Sequence, residues 1–335
     1  MTFMLLSWAG PRRGWPRSTE TATVSAWVDV DSNSIGLLRM NRESSRVCFV
    51  DSLGKIGIVG VIGAGVMGAG IAEAIISAGK AVYLLDRDPD ALERAQTRIV
   101  SSLNYKVQRG KLSEQASEAA LSRLTLTTEI ESFVSVDLAV EAASESEEVK
   151  LSVLRNVCDV VGYRCIIATN TSSLSVGALS RAVDDPGRFI GIHFFNPAAI
   201  MPLVEVVSTS ETSSRVLSCV TDFLREIGKD PVDIKDSPGF VVNRLLIPMI
   251  NEAFHILGEG VASARQIDFA MRAGANHPIG PLALADLIGL DVCAAIVTAL
   301  KRSLPNVGIE VAPRLQELIV SGHLGKKTGR GVYEY

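Results

Sequence analysis

The sequence predicts a two-part protein: a doubly wound, mostly parallel α/β sheet followed by an all-helical C-terminal domain. Three observations carry this. Short apolar runs of strand length alternate with helix-length segments from residue 56 to residue 207. A glycine-rich turn follows directly on the first of those runs. After Asp236-Ser237-Pro238-Gly239 the strand signal stops, and only helical segments follow.

Residues 56–62 form an apolar run, as expected for a strand buried on both faces. Residues 71–78 have helical spacing and close at Gly79, and 81–85 is a second buried strand ending at Asp86. Residues 90–110 read as a long helix with Ala91, Leu92, Ala95, Ile99 and Leu103 on one side. A second helix over 114–121 makes the pair a helical hairpin inserted in the α/β pattern. Strands recur at 124–127, 137–141, 166–169, 189–193 and 203–207, with a helix over 147–160. From Phe240 onward the helical segments break at Gly258-Glu259-Gly260, Gly274 and His277-Pro278. The expected division is 55–237 and 238–335, preceded by a poorly ordered extension over 1–54. That extension has an apolar start (Met1 to Leu6), then Arg12, Arg13 and Arg17, with no acid before Glu20. Two readings fit it: an Arg-rich transit-type segment, or upstream in-frame translation.

At 335 residues the chain is long enough for two cores. It is 47% hydrophobic and 21% charged, an ordinary globular balance. A net charge of −4 leaves no global basic field, so neither nucleic acid nor a membrane surface is an expected partner. An anionic ligand would need a local basic patch. The longest apolar stretch, 56–76, is rich in glycine and carries Glu73, so it does not read as a membrane span. The cysteines Cys48, Cys158, Cys165, Cys219 and Cys293 fit neither a zinc spacing nor a CxxC pair, and no metal site is expected. Scattered thiols point to a reducing compartment, the cytoplasm.

The glycine turn reads Gly63-Ala64-Gly65-Val66-Met67-Gly68, after a strand and opening a helix. Gly63 permits the tight turn, Gly65 lets a pyrophosphate approach the backbone, and Gly68 lets helix and strand pack closely. The helix N-terminus offers N–H groups and partial positive charge to phosphates. Asp86, 23 residues beyond Gly63, stands at the end of the second strand, where a carboxylate can accept hydrogen bonds from ribose hydroxyls. It would repel a 2′-phosphate, so the expected cofactor is NAD; Arg87 beside it keeps NADP open. The domain is therefore expected to be Rossmann-type.

Two further residues suggest chemistry. His193 ends a buried strand at the carboxyl edge of the sheet, where ligands of open α/β sheets sit. Glu205 interrupts the apolar strand Leu203-Val204-Glu205-Val206-Val207 and needs a partner there. A His–Glu pair would orient the imidazole as a general base; a satisfied core histidine is the rival reading. His255, His277 and His323 have no such setting. Asn170-Thr171-Ser172-Ser173 follows another strand and reads either as site residues or as a helix N-cap. Asn243 falls near the domain junction, where a substrate could be held.

From Ile56 to Tyr335 the chain resembles the 3-hydroxyacyl-CoA dehydrogenases, most closely the single-function bacterial 3-hydroxybutyryl-CoA dehydrogenases. The motifs are VIGAGVMGAGIA (61–72), ATNTSSLS (168–175), GIHFFNPAAIMPLVEVV (191–207), DSPGFVVNRLLIPMINEA (236–253), GANHPIGPLALADLIGLD (274–291) and GKKTGRGVYEY (325–335). The resemblance implies an NAD domain, a helical domain that forms a homodimer, and reversible oxidation of a 3-hydroxyacyl-CoA to the 3-oxoacyl-CoA. It makes His193 the base, Glu205 its partner, and Ser172 and Asn243 the substrate contacts. It places Glu145, Lys150, Ser172, Asn196 and Lys327 near the cofactor, alongside Gly63, Gly65, Val66, Met67, Gly68 and Asp86. The hairpin would cover the CoA. A lysine common in its first helix is replaced by Tyr105, so Lys106, Arg109 or Lys111 would meet the CoA phosphates. Ala283 and Pro202 also depart from the family pattern, in place of a glutamate and a lysine. The rival functions are a dehydrogenase of free 3-hydroxy acids and a non-enzymatic NAD-binding protein, as in crystallins that resemble this family.

Overall fold

In the computed structural model, residues 54–335 are described, so the reading of the N-terminal extension lies outside the described residues. Among the described residues, eight strands form one sheet: β1 (Ile58–Ile62), β2 (Ala81–Leu85), β3 (Leu124–Thr127), β4 (Leu138–Glu141), β5 (Ile166–Thr169), β6 (Phe189–Phe194), β7 (Leu203–Ser208) and β8 (Asp230–Lys235). Their order is β3-β2-β1-β4-β5-β6-β7-β8. The first six run parallel, β7 is antiparallel to β6, and β8 follows β7 in parallel. The chain reverses its direction of strand addition between β1 and β4, the switch point of a doubly wound sheet.

The helices are α1 (Val66–Ser77), α2 (Pro89–Gln108), α3 (Glu114–Leu121), α4 (Glu147–Val160), α5 (Val176–Leu179) and α6 (Ser214–Glu226), then α7 (Val242–Gly258), α8 (Ala264–Gly274), α9 (Pro281–Ile288), α10 (Leu290–Ser303) and α11 (Pro313–Val320). One sheet face packs Val59, Val61 and Ile192 against Ile71, Ile75, Leu103 and Phe223, from α1, α2 and α6. The other packs Ile62, Ile167 and Phe189 against Leu154 and Val157 of α4, Leu179 of α5 and Phe133. Both faces are thus covered, which is why β1, β4 and β6 read as continuous apolar runs. A third core holds the C-terminal helices together through Ile250, Phe254, Leu290, Val297 and Leu315. The architecture is the Rossmann-type sheet with a helical C-terminal domain that the sequence predicts.

Several elements differ in detail. α1 begins at Val66, five residues before the apolar spacing becomes visible, because Gly68 and Gly70 carry no apolar side chain to mark its first turn. α2 begins at Pro89, with the Asp88 carboxylate accepting the Asp90 N–H at 3.0 Å as N-cap. β8 was not among the predicted strands: Asp-Pro-Val-Asp-Ile-Lys has no apolar run, since an edge strand buries little, and the edge also tolerates Pro231.

Candidate functional site

Register places the site. Ile62 pairs with Leu85 and Glu141, Glu141 with Thr169, and Thr169 with Gly191. The carboxyl ends of β1, β2, β4, β5 and β6 therefore share one edge, and His193 stands two residues beyond the last of these pairings.

At β1 the glycine turn has the shape a dinucleotide requires. Gly63 has φ +103°, and a Cβ there would stand 2.6 Å from the Ala142 carbonyl oxygen. A Cβ on Gly68 would fall 1.8 Å from the Gly63 oxygen. A Cβ on Gly65 would meet nothing within 4 Å, because that position faces open space. No side chain caps α1 at Gly65, and Val66 is exposed. A free helix N-terminus beside an open glycine is an anion cradle that a side chain would fill. Asp86 closes it from β2: one carboxylate oxygen accepts the Ala64 N–H at 2.7 Å, the other the Asp88 N–H at 3.0 Å. These residues fit NAD.

On β6 and β7, His193 and Glu205 are direct partners in register. Nδ1 of His193 lies 2.7 Å from Oε2 of Glu205, and both side chains are buried. The other carboxylate oxygen, Oε1, accepts the N–H groups of Val241 and Val242 at 3.0 Å each, where α7 begins. Burial pushes the Glu205 carboxyl up, but the His193 hydrogen bond, the Val242 N–H, the imidazole charge and the Val241 N–H outweigh it, so its pKa lies below the usual value. An ionised carboxylate only accepts, so Nδ1 carries a hydrogen, and in the neutral imidazole the lone pair is therefore on Nε2. Phe195 and Phe240 flank the ring at 4.5 and 5.5 Å between centroids.

After β5, Asn170 Oδ1 accepts the Phe194 N–H at 2.9 Å, tying this loop to the end of the His193 strand. The N-cap reading of 170–173 does not hold, because Ser175 caps α5. Ser172 and Glu145 are joined instead. Oε1 of Glu145 accepts from Thr171 Oγ1 at 2.7 Å, from the Ser172 and Ser173 N–H groups at 2.8 and 2.9 Å, and from both serine hydroxyls. Asn243 Nδ2 donates to the Ser172 carbonyl at 3.2 Å. Hydrogen bonds thus join Glu145, Ser172 and Asn243, while Glu205 binds the backbone of Val241 and Val242 just before Asn243. Desolvation raises the Glu145 pKa, but Lys150 and the Thr171, Ser172 and Ser173 hydrogen bonds hold it below the usual value.

Lys150 lies beneath the surface beside Glu141 and Glu145. Its side chain is 0% exposed, its ammonium sits 2.8 and 3.1 Å from the Glu141 oxygens, and it stands 3.4 Å from Glu145 Oε2. It is therefore a buried counter-charge beneath Glu145 and is shielded from a ligand. Glu141, which also accepts from Thr169 Oγ1 and the Ala143 N–H, escaped the sequence reading. The signal was akin to the one that singled out Glu205: a carboxylate in an apolar strand, here at its last position. Asn196 is exposed just past β6. Lys327 is held in the helical domain by Asp291, 2.6 Å away at the start of α10.

The hairpin residues also sort differently. Lys106 is committed to the buried Glu73 carboxylate at 2.7 Å, which also accepts from Ser102, so it is not a free phosphate contact. The Arg109 guanidinium lies 5.3 Å from the centre of the Tyr105 ring, and Lys111 is exposed. Among the described residues no His, Cys, Asp and Glu cluster could hold a metal, and no single helix is long and apolar enough to cross a membrane.

Residues 58–237 match the NAD-binding domain of 3-hydroxyacyl-CoA dehydrogenase, and residues 239–335 match its C-terminal domain. The chain belongs to the 3-hydroxyacyl-CoA dehydrogenase family. It is an NAD-dependent oxidoreductase. It is 42% identical over 277 residues to a 3-hydroxybutyryl-CoA dehydrogenase of Bradyrhizobium diazoefficiens, covering 83% of this chain and 94% of that one. It is 43% identical to an Escherichia coli 3-hydroxyadipyl-CoA dehydrogenase, over 83% of this chain and 58% of that one. Among solved structures, the (S)-3-hydroxybutyryl-CoA dehydrogenase of Ralstonia eutropha superimposes with a TM-score of 0.81 at 43% identity, over 84% of this chain and 99% of that one.

Proposed function

We propose that the protein oxidises short-chain 3-hydroxyacyl-CoA thioesters, such as 3-hydroxybutyryl-CoA, reversibly to the 3-oxoacyl-CoA, with His193 as general acid and base. The observation that carries this is the buried His193–Glu205 pair at the sheet edge that also holds the glycine turn and Asp86. NAD, when bound, supplies the hydride acceptor for the substrate C3. Nε2 of His193 takes the 3-hydroxyl proton, and Glu205 stabilises the imidazolium through Nδ1–H. In the reverse direction the imidazolium returns that proton to the 3-oxo oxygen. Ser172 and Asn243 hold the substrate near the reacting carbon, and Glu145 fixes the Ser172 loop. Lys150 acts through Glu145, while Asn196 and Lys327 belong to the cofactor side. Phe195 and Phe240 keep water from the ring.

The relatives named for 3-hydroxybutyryl-CoA support the short chain. The exposed Leu245, Phe269 and Leu287 support a homodimer through the helical domain, since apolar side chains of that size favour cover. The unpaired thiols Cys158, Cys165, Cys219 and Cys293 support a cytoplasmic setting. Initial rates on a chain-length series of 3-oxoacyl-CoA esters, with NADH and NADPH compared, test the reading. The expected result is highest kcat/KM with acetoacetyl-CoA and NADH. Equal kcat/KM for acetoacetyl-CoA and free acetoacetate would overturn it.

A further inference from the structure

We propose that Lys229 is a positioning residue for the reaction, clamping the loop that joins His193 to Glu205. The inference rests on the catalytic reading of that pair. β6 ends at Phe194 and β7 begins at Leu203, so residues 195–202 are the only chain between the two partners. A connection of this length has many conformations unless contacts hold it.

Three contacts hold it. The Lys229 ammonium donates to the Ala198 carbonyl at 2.7 Å and to the Met201 carbonyl at 2.9 Å. The next residue's N–H, that of Asp230, donates to the Pro202 carbonyl at 2.8 Å. On the opposite side the loop lies on the dinucleotide helix: a Cβ on Gly70 of α1 would approach Ala198 Cβ to 3.2 Å. The head of β8 therefore pins the loop against the helix that opens the NAD site.

The cation is an unusual choice for this task. Lys229 is 6% exposed, and the hydrogen bonds of its ammonium go to carbonyls rather than to a carboxylate. Glu73, the carboxylate whose charge reaches it, is bonded to Lys106. Burial, and then the Lys106 charge, push the Lys229 pKa down, and Glu73 opposes them. A buried ammonium is costly unless its donors are satisfied, so the two carbonyls are held at fixed positions or the charge is lost. This makes the loop stiff where an amide or hydroxyl would leave it softer.

The test uses the full chain. Lys229→Met removes the donors and keeps the bulk, and Lys229→Arg restores two. Acetoacetyl-CoA reduction by NADH, NADH affinity by fluorescence, and hydrogen exchange of residues 198–201 are measured on each. Lys229→Met is expected to lower kcat about 10–100-fold, the scale of an ångström misplacement. NADH Kd is expected to stay within about twofold, residues 198–201 to exchange faster, and Lys229→Arg to recover much of the loss. Unchanged exchange in that segment overturns the clamp even if wild type fails to turn over acyl-CoA, an outcome that would instead sink the functional reading. Faster exchange with unchanged kcat refutes the positioning role. Loss of NADH binding or of folding in both variants makes Lys229 a general core residue and also overturns the proposal.

Discussion

His193 and Glu205 face each other across the antiparallel β6–β7 pair and share a 2.7 Å hydrogen bond. The bond fixes which imidazole nitrogen is free. In Glu205→Gln the amide can donate to Nδ1, which moves the ring hydrogen to Nε2 and removes the base. Both Glu205→Gln and His193→Ala are expected to lower kcat by about 10²–10⁴-fold, the usual contribution of general acid–base catalysis. NAD binding, measured by calorimetry, should persist in both. Near-normal turnover of His193→Ala would remove His193 from the mechanism.

Glu205 has a second task, because its Oε1 binds the first N–H groups of the helical domain. Its carboxyl lies below the ordinary value of 4.5 in the folded chain, burial being outweighed by His193 and these N–H groups. A depressed carboxyl contributes stability that is fully present above the unfolded pKa and is lost as pH falls through the folded one. Glu145 and Asp291 are depressed too, so wild type alone does not isolate this share. The difference in melting temperature between wild type and Glu205→Gln does. It should shrink as pH falls below about 4.5, the ordinary carboxyl value. A difference that holds unchanged into strong acid would assign the stabilisation to packing.

The glycine turn separates folding from binding at neighbouring positions. Gly68→Ala puts a methyl 1.8 Å from the Gly63 oxygen, so the turn must open and stability must fall. Gly65→Ala meets no protein atom within 4 Å, and φ of −68° suits alanine. Its melting temperature should stay close to wild type, the change amounting to less than about 0.5 kcal/mol. Its Kd for NAD should nevertheless rise about tenfold or more, since the added methyl occupies the space a pyrophosphate approaches. A Gly65→Ala protein that binds NAD normally would place the phosphates elsewhere.

Much of this was legible in the residues. The buried strands showed themselves because both sheet faces are covered, and the glycine turn because only glycine fits at Gly63 and Gly68. His193 and Glu205 stood out as polar groups in apolar strands. What stayed hidden depends on contacts far apart in sequence. Nothing local shows that Lys106 answers Glu73, or that the Val241 and Val242 N–H groups meet Glu205. β8 was invisible because Asp230, Asp233 and Lys235 deny it the continuous apolar run that reveals the buried strands.

Lys150 shows how a matched position can mislead about contact. Its ammonium is bonded to Glu141, its side chain is fully buried, and it reaches the site through Glu145 and the Ala143 carbonyl. Lys150→Met would leave Glu141, itself 1% exposed, without a counter-cation. Breaking a buried pair from one side costs about 3–5 kcal/mol, whereas replacing both partners by neutral groups can be almost neutral. Lys150→Met should therefore lose stability in urea unfolding by about that amount, and adding Glu141→Gln should recover a large part of it. The Glu145 carboxyl, no longer opposite a cation, should titrate at higher pH. A lysine touching the cofactor directly would behave in the opposite way: Lys150→Met would melt with wild type, and its entire loss would fall on NAD affinity.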